Sequence, residues 1–127
     1  MGAVESEQVI VVVSTLRGSA LRYAMAQARG MPFTVHPPVY GSGHRILVEG
    51  DQGFFRADVD WKQAGPLIDR HWRTITTWLI EHLGPNWRDN VDGEPGDVLL
   101  WLARGYVGGL LGDTVTVPLD IVAHPSS

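Results

Sequence analysis

Ten residues in the middle of the chain, Asp60-Trp61-Lys62-Gln63-Ala64-Gly65-Pro66-Leu67-Ile68-Asp69, crowd an indole, a carboxamide and carboxylates between backbone breakers. An indole stacks on planar ligands, an amide makes paired hydrogen bonds, and a guanidinium pairs with phosphate. Trp61, Gln63 and the Gly65-Pro66 corner, with Asp60 beside them and Arg70 or Arg45 supplying charge, form a candidate site for a small anionic or nucleotide-like ligand. Tyr40, Arg104 and Tyr106 offer polar groups to complete it. Gly65-Pro66 is expected to stop any helix begun before it and Pro66 to open a new one, so the segment reads as two short turns around a fixed corner.

Other chemistries compete for the same residues. Asp58, Asp60 and Asp69 lie close in sequence beside an apolar indole that raises a carboxyl pKa, an arrangement suited to general acid–base work. Against this, Asp60 is placed to cap the turn beginning at Trp61, and Asp69 beside Arg70 suits a surface ion pair. The five histidines, at 36, 44, 71, 82 and 124, include no pair four residues apart on a helix, so no metal or other cofactor is implied. Gly41-Ser42-Gly43-His44-Arg45 is the best anion cradle by composition but lacks the lysine and spacing of a P-loop. Ser14, Ser19 and Ser42 sit in no nucleophile elbow. Of the five tryptophans, Trp78 and Trp101 are expected in the core and Trp87 as a loop anchor, whereas Trp61 and Trp72 stand near breakers and arginines with a ring face to offer.

These side chains must be carried by a single domain of 127 residues, large enough to bury roughly two-thirds of its unfolded surface. Hydrophobic residues at 44% and charged residues at 19% fit a globular chain. A net charge of −4 leaves no basic surplus for a phosphate backbone, so general nucleic-acid binding is disfavoured. The absence of cysteine excludes disulfides, thiolate nucleophiles and cysteine-ligated zinc, and suits a reducing cytosol. The apolar run Val9 to Val13 is far too short to span a membrane.

That run is β-branched, as in a strand buried on both faces at the centre of a sheet. Ser14 and Thr15 offer caps for a helix over about 17–29, whose apolar face carries Leu21, Ala24, Met25 and Ala28 and ends at Gly30. Prolines and glycines make 31–43 a loop apart from an extended piece at Phe33 to His36. Two apolar runs at 45–49 and 54–57 flank Gly50-Asp51-Gln52-Gly53 and read as a hairpin. The β-branched segment 73–81 favours strand, although the spacing of Ile75, Trp78, Leu79 and His82 also suits a helix. Residues 84–96 read as a polar loop, Pro95 to Gly112 as a second long helix, and Thr114 to Val117 as a strand. Gly105, Gly108 and Gly109 permit close backbone approach, against the rest of this chain or across the two-fold axis of a homodimer. The expected architecture is an α+β single-domain sandwich over residues 1–127, with two main helices packed on one largely antiparallel sheet of about five strands. Residues 1–7 and 119–127 are expected to be loose tails.

Two blocks carry a family pattern. Leu16, Gly18, Ala20, Leu21 and Ala24 followed by the 60–70 segment, and then Leu102-Ala103-Arg104-Gly105-Tyr106-Val107 with Leu111-Gly112-Asp113-Thr114-Val115-Thr116-Val117-Pro118, resemble the NinX-like family of small proteins from tailed phages and prophages. The similarity covers about residues 16–118. It departs at Ala64, which stands where the family has the first of two glycines, and at Arg56-Ala57-Asp58-Val59, which replaces a proline and serine before the Asp-Trp pair. The resemblance implies a phage accessory product acting in the cytoplasm of a bacterial host, without assigning an activity. Joined to the 60–70 segment, it suggests a non-enzymatic protein that sequesters a nucleotide-like ligand to counter host defence. A protein-interaction module that caps a host factor through Trp61 and Trp87 is the alternative, and an aspartate-based hydrolase the third.

Overall fold

The computed structural model describes residues 7–37, 44–50, 53–57, 60–91 and 95–123. Helix α1 (Gly18–Arg29) buries Leu21, Ala24 and Met25 on one face, where apolar residues recur at helical spacing, and stops at Gly30, whose left-handed φ of 74° few other residues adopt. Ser14 and Thr15 do not cap it: they form a short 3₁₀ turn (Val13–Thr15), and the helix begins after Arg17 without a side-chain cap. The second long helix, α5 (Pro95–Leu111), turns Leu99, Leu102, Ala103, Tyr106 and Val107 into the core.

The class is α+β, as the element order suggests, but the sheet is not a single five-stranded one. Strand β1 (Gln8–Val12) pairs antiparallel with β4 (Thr114–Pro118), and β2 (Phe33–His36) pairs antiparallel with β3 (Arg45–Val48), giving two separate two-stranded sheets among the described residues. Strand β1 is therefore neither central nor buried on both faces. Val9 and Val11 lean inward opposite Val117 and Val115, whereas Ile10 stays 77% exposed and Val12 51% exposed. An unbroken β-branched run hides this alternation, because the pattern that separates a one-faced strand from a two-faced one is missing.

The hairpin expected between 45–49 and 54–57 is also corrected. Strand β3 takes its partner from the preceding piece at 33–36, and among the described residues the chain after Gly50 returns with one ladder-like bond, from the Phe55 N–H to the Ile46 carbonyl at 2.6 Å. Phe55 and Ala57 are nonetheless buried, so this return segment seals the edge of the core without forming a strand.

Helix α2 (Trp61–Arg70) replaces the two turns expected there, running through Gly65-Pro66 without a break. Proline disfavours helical geometry in the preceding residue because its Cδ meets that residue's Cβ. Gly65 has no Cβ, so that part of the clash is absent, although Pro66 still offers no N–H to the Lys62 carbonyl one turn before it. Asp60 caps the helix as expected, its Oδ1 accepting from the Lys62 N–H at 2.9 Å.

Segment 73–81 belongs to helix α3 (Trp72–Leu83), not to a strand. Its Ile75, Trp78 and Leu79 form one stripe packed on α5, and burial of that stripe outweighs the weak helix preference of the threonines. A Cβ at Gly108 would land on the Trp78 indole, and one at Gly109 on the Thr74 methyl. These glycines thus serve a close helix crossing within the chain. A four-residue helix, α4 (Trp87–Asn90), interrupts the loop expected at 84–96, with Trp87 anchored at 6% exposure. The expected loose tail at 119–127 is in part a short helix, α6 (Leu119–Ala123), that buries Ile121. The buried residues join in one cluster. No helix among the described residues is long and apolar enough to cross a membrane.

Candidate functional site

The N-terminal turn of α2 is held by backbone and side-chain bonds to the segment before it. The Asp60 N–H donates to the Arg56 carbonyl at 2.8 Å, and the Asp60 carbonyl accepts from the Ala64 N–H at 2.9 Å. Gln63 completes the clamp. Its Oε1 accepts from the Arg56 N–H at 2.6 Å and its Nε2 donates to the Phe54 carbonyl at 3.2 Å. The amide expected to bind a ligand instead pins residues 54–56 to the helix, using both of its polar ends.

That clamp builds one wall of a groove of about 580 Å³ between α2, the end of α1 and the return segment. Gln63, Pro66 and Leu67 line it from α2, Phe55 and Gly53 from the return segment, and Arg29 from the last turn of α1. Residues 63, 66, 67 and 70 share one helical face, so Arg70 continues the same side of α2. The Arg29 guanidinium carbon sits 5.6 Å from the Phe55 ring centroid, within cation–π range, and its Nη2 donates to the Met31 sulfur at 3.6 Å. Tyr106 of α5 is buried nearby with its ring edge-on to His71. Burial pushes its phenol pKa up, while the positive charges of Arg29 and Arg70 pull the other way. Both arginines therefore act on one region of the surface, at the ends of two helices.

The sequence-selected residues divide around this groove. Gln63 and Pro66 line it and Arg70 lies on its face of α2. Trp61 is 51% exposed but projects about 200° around the helix from Gln63, away from the groove. Asp60 is consumed as a cap, and Gly65 has open space where a Cβ would stand, so it approaches no other part of the chain closely. Ala64, where the NinX-like pattern has glycine, is fully buried under the helix. Arg45 is directed elsewhere: its guanidinium lies 4.8 Å from the Phe54 ring and its Nη2 reaches the Pro37 carbonyl at 3.4 Å. Tyr40, Asp58 and the Gly41-Ser42-Gly43 cradle lie outside the described residues.

Asp60 and Asp69 stand at opposite ends of α2, about 13 Å apart along its axis, and do not converge. No group of three histidines and acidic residues able to hold a metal occurs among the described residues. Arg104 is buried inside α5, where its Nε donates to the Leu16 carbonyl at 2.8 Å, and so stitches the helix to the turn before α1. Trp72 is 41% exposed and edge-on to the buried Trp87, so the exposed tryptophans are Trp61 and Trp72, not Trp87. Sequence reasoning missed Arg29 and Phe55. The one local sign for Arg29 was its place in the last helical turn before Gly30, which explains its charge by the helix dipole and points to no ligand. No family model matches the chain, and neither a curated protein nor a solved structure matches it.

Proposed function

We propose that this chain is a phage-derived, non-enzymatic accessory protein of the host cytoplasm that holds a small anionic, nucleotide-like ligand in the α2 groove. The observation that carries the reading is the pairing, in one groove of about 580 Å³, of a guanidinium lying against an aromatic ring with an apolar wall of Pro66 and Leu67. Such a groove takes the apolar face of a ligand against Pro66 and Leu67 and an anionic group against Arg29, with Arg70 on the same helical face adding attraction. Binding of this kind sequesters a messenger from its receptor without chemistry. The separation of Asp60 from Asp69 supports the non-catalytic form of the proposal.

The test is a thermal-shift and calorimetric screen of the purified chain, stripped of co-purified metabolites, against cyclic and linear nucleotides. A saturable shift with at least one of them is expected, reduced tenfold or more in Arg29→Gln and unchanged in Trp61→Ala. Absence of binding across the panel refutes the proposal.

A second reading rests on the half-exposed indoles of Trp61 and Trp72, which suit hot spots for a host protein. A Trp61→Ala variant that loses a captured partner while keeping nucleotide binding favours that reading.

A further inference from the structure

A separate cavity of about 550 Å³ opens between α3 and the C-terminal end of α5, and none of its lining residues belongs to the α2 groove. On α3, Arg73, Thr77 and Glu81 follow one another at four-residue spacing and form a stripe along the cavity wall. Arg73 and Glu81 are about 12 Å apart along the axis at 1.5 Å per residue. Facing them beyond α5 is Asp113, whose Oδ1 accepts from the Trp78 indole N–H at 3.1 Å and lies 3.2 Å from His82 Nε2. His82 Nδ1 is 2.9 Å from the Trp78 carbonyl, which only accepts, so that nitrogen carries a proton. Asp113 is thereby fixed in orientation while its side chain stays largely open to the cavity.

The charges along this cavity are sorted by end. Glu81 and Asp113 are acidic, and Asp113 sits against His82, the residue that follows Glu81. Arg73 alone is cationic among the lining residues. From the Arg73 end inward the wall is Gly109 beside Thr74 and Gly108 beside the Trp78 ring, a stretch without projecting glycine side chains. A ligand with one charge satisfies only half of this arrangement. A zwitterion satisfies both, and two extended residues span about 7 Å, with the reach of the arginine and glutamate side chains making up the rest of the spacing along α3.

We propose that the α3–α5 cavity binds a short peptide zwitterion of dipeptide length, its carboxylate on Arg73 and its ammonium between Glu81 and Asp113. The glycine wall admits the peptide backbone, and Thr77 lies midway along it. Exposed Arg73 and Glu81 are the groups to vary, because Asp113 also holds Trp78 and His82.

The test titrates alanylalanine, its N-acetyl derivative and its C-terminal amide into the full-length chain, read by amide NMR shifts. Alanylalanine is expected to move Gly108, Gly109 and Gly112 saturably, and each blocked form to bind at least tenfold more weakly. Arg73→Gln is expected to abolish the preference for the free carboxylate, and Glu81→Gln to reduce the preference for the free amine, with circular dichroism confirming the fold of both. No saturable shift at these glycines, equal binding of the three probes, or a carboxylate preference that survives Arg73→Gln overturns the proposal. Residues of the α2 groove are expected to stay unmoved, so the outcome is independent of the nucleotide reading.

Discussion

Replacing Gln63 by alanine separates a clamp from a ligand contact. The side chain makes two hydrogen bonds, one from the Arg56 N–H and one to the Phe54 carbonyl. Each neutral bond contributes about 0.5–1.5 kcal/mol net, so the pair amounts to about 1–3 kcal/mol. The Arg56 bond is exposed and water replaces much of it, which places the expected loss at about 1–2 kcal/mol. For a chain of this size that corresponds to a fall in Tm of about 4–8 °C. Urea denaturation followed by tryptophan fluorescence measures it, with the m-value expected to hold constant because the same surface is exposed on unfolding. Lys62→Ala, an exposed neighbour whose side chain makes no described bond, is the control and is expected within about 0.5 kcal/mol of the parent. A Gln63→Ala midpoint that coincides with the parent's refutes the clamp, and a loss confined to ligand affinity restores the amide to a recognition role.

Other variants probe the packing. Gly108→Ala gains about 1 kcal/mol of helix propensity but drives a methyl into the Trp78 indole, at an overpacking cost of about 1–3 kcal/mol and with the Trp78–Asp113 bond disturbed. A net loss in thermal stability is expected, and a gain shows that the α3–α5 contact is looser than described. Ile121→Ala is expected to cost about 2–4 kcal/mol by chemical denaturation, because α6 seals the core with that side chain; a change under about 0.5 kcal/mol returns the segment to a loose tail. Burial raises the Tyr106 and Tyr23 phenol pKa values above their unfolded value of about 10, so the folded chain keeps those protons longer than the unfolded one. Stability from this source is full below pH 10 and is lost as pH rises through the folded values. Melting scans from pH 9 to 11 are expected to show a steeper decline for the parent than for Tyr106→Phe, and equal slopes contradict the assignment.

Elements with a clear apolar stripe and a terminating glycine, α1 and α5, are legible in the chain, as is the alternating β4. The others fail for separate reasons. Helix α3 has β-branched residues that suit a strand, and only its packing on α5 decides between the two periodicities. Helix α2 contains a proline that ordinarily ends a helix, and the missing Cβ of Gly65 removes one of the clashes that make it do so. Strand β3 had two candidate partners, and nothing local distinguishes pairing with 33–36 from pairing with 54–57. The candidate site was read from residues close in sequence. The groove instead joins Arg29 to Phe55 and Leu67, a meeting that exists only after α1 and α2 pack on α5. Gln63 shows the converse hazard, since a side chain with the right chemistry for a ligand was needed to hold its own backbone.

The pairing of β1 with β4 has a consequence for how the chain is made. The opening strand finds its mate only after helices α1 through α5 have left the ribosome. Until then Val9 and Val11, which meet Val117 and Val115 in the native pairing, and a row of open amides and carbonyls are left without a neighbour. A circular permutant that joins the two ends and opens the chain between α3 and α4 would deliver both strands in succession, and the yield of native protein would rise if that delay is what limits assembly.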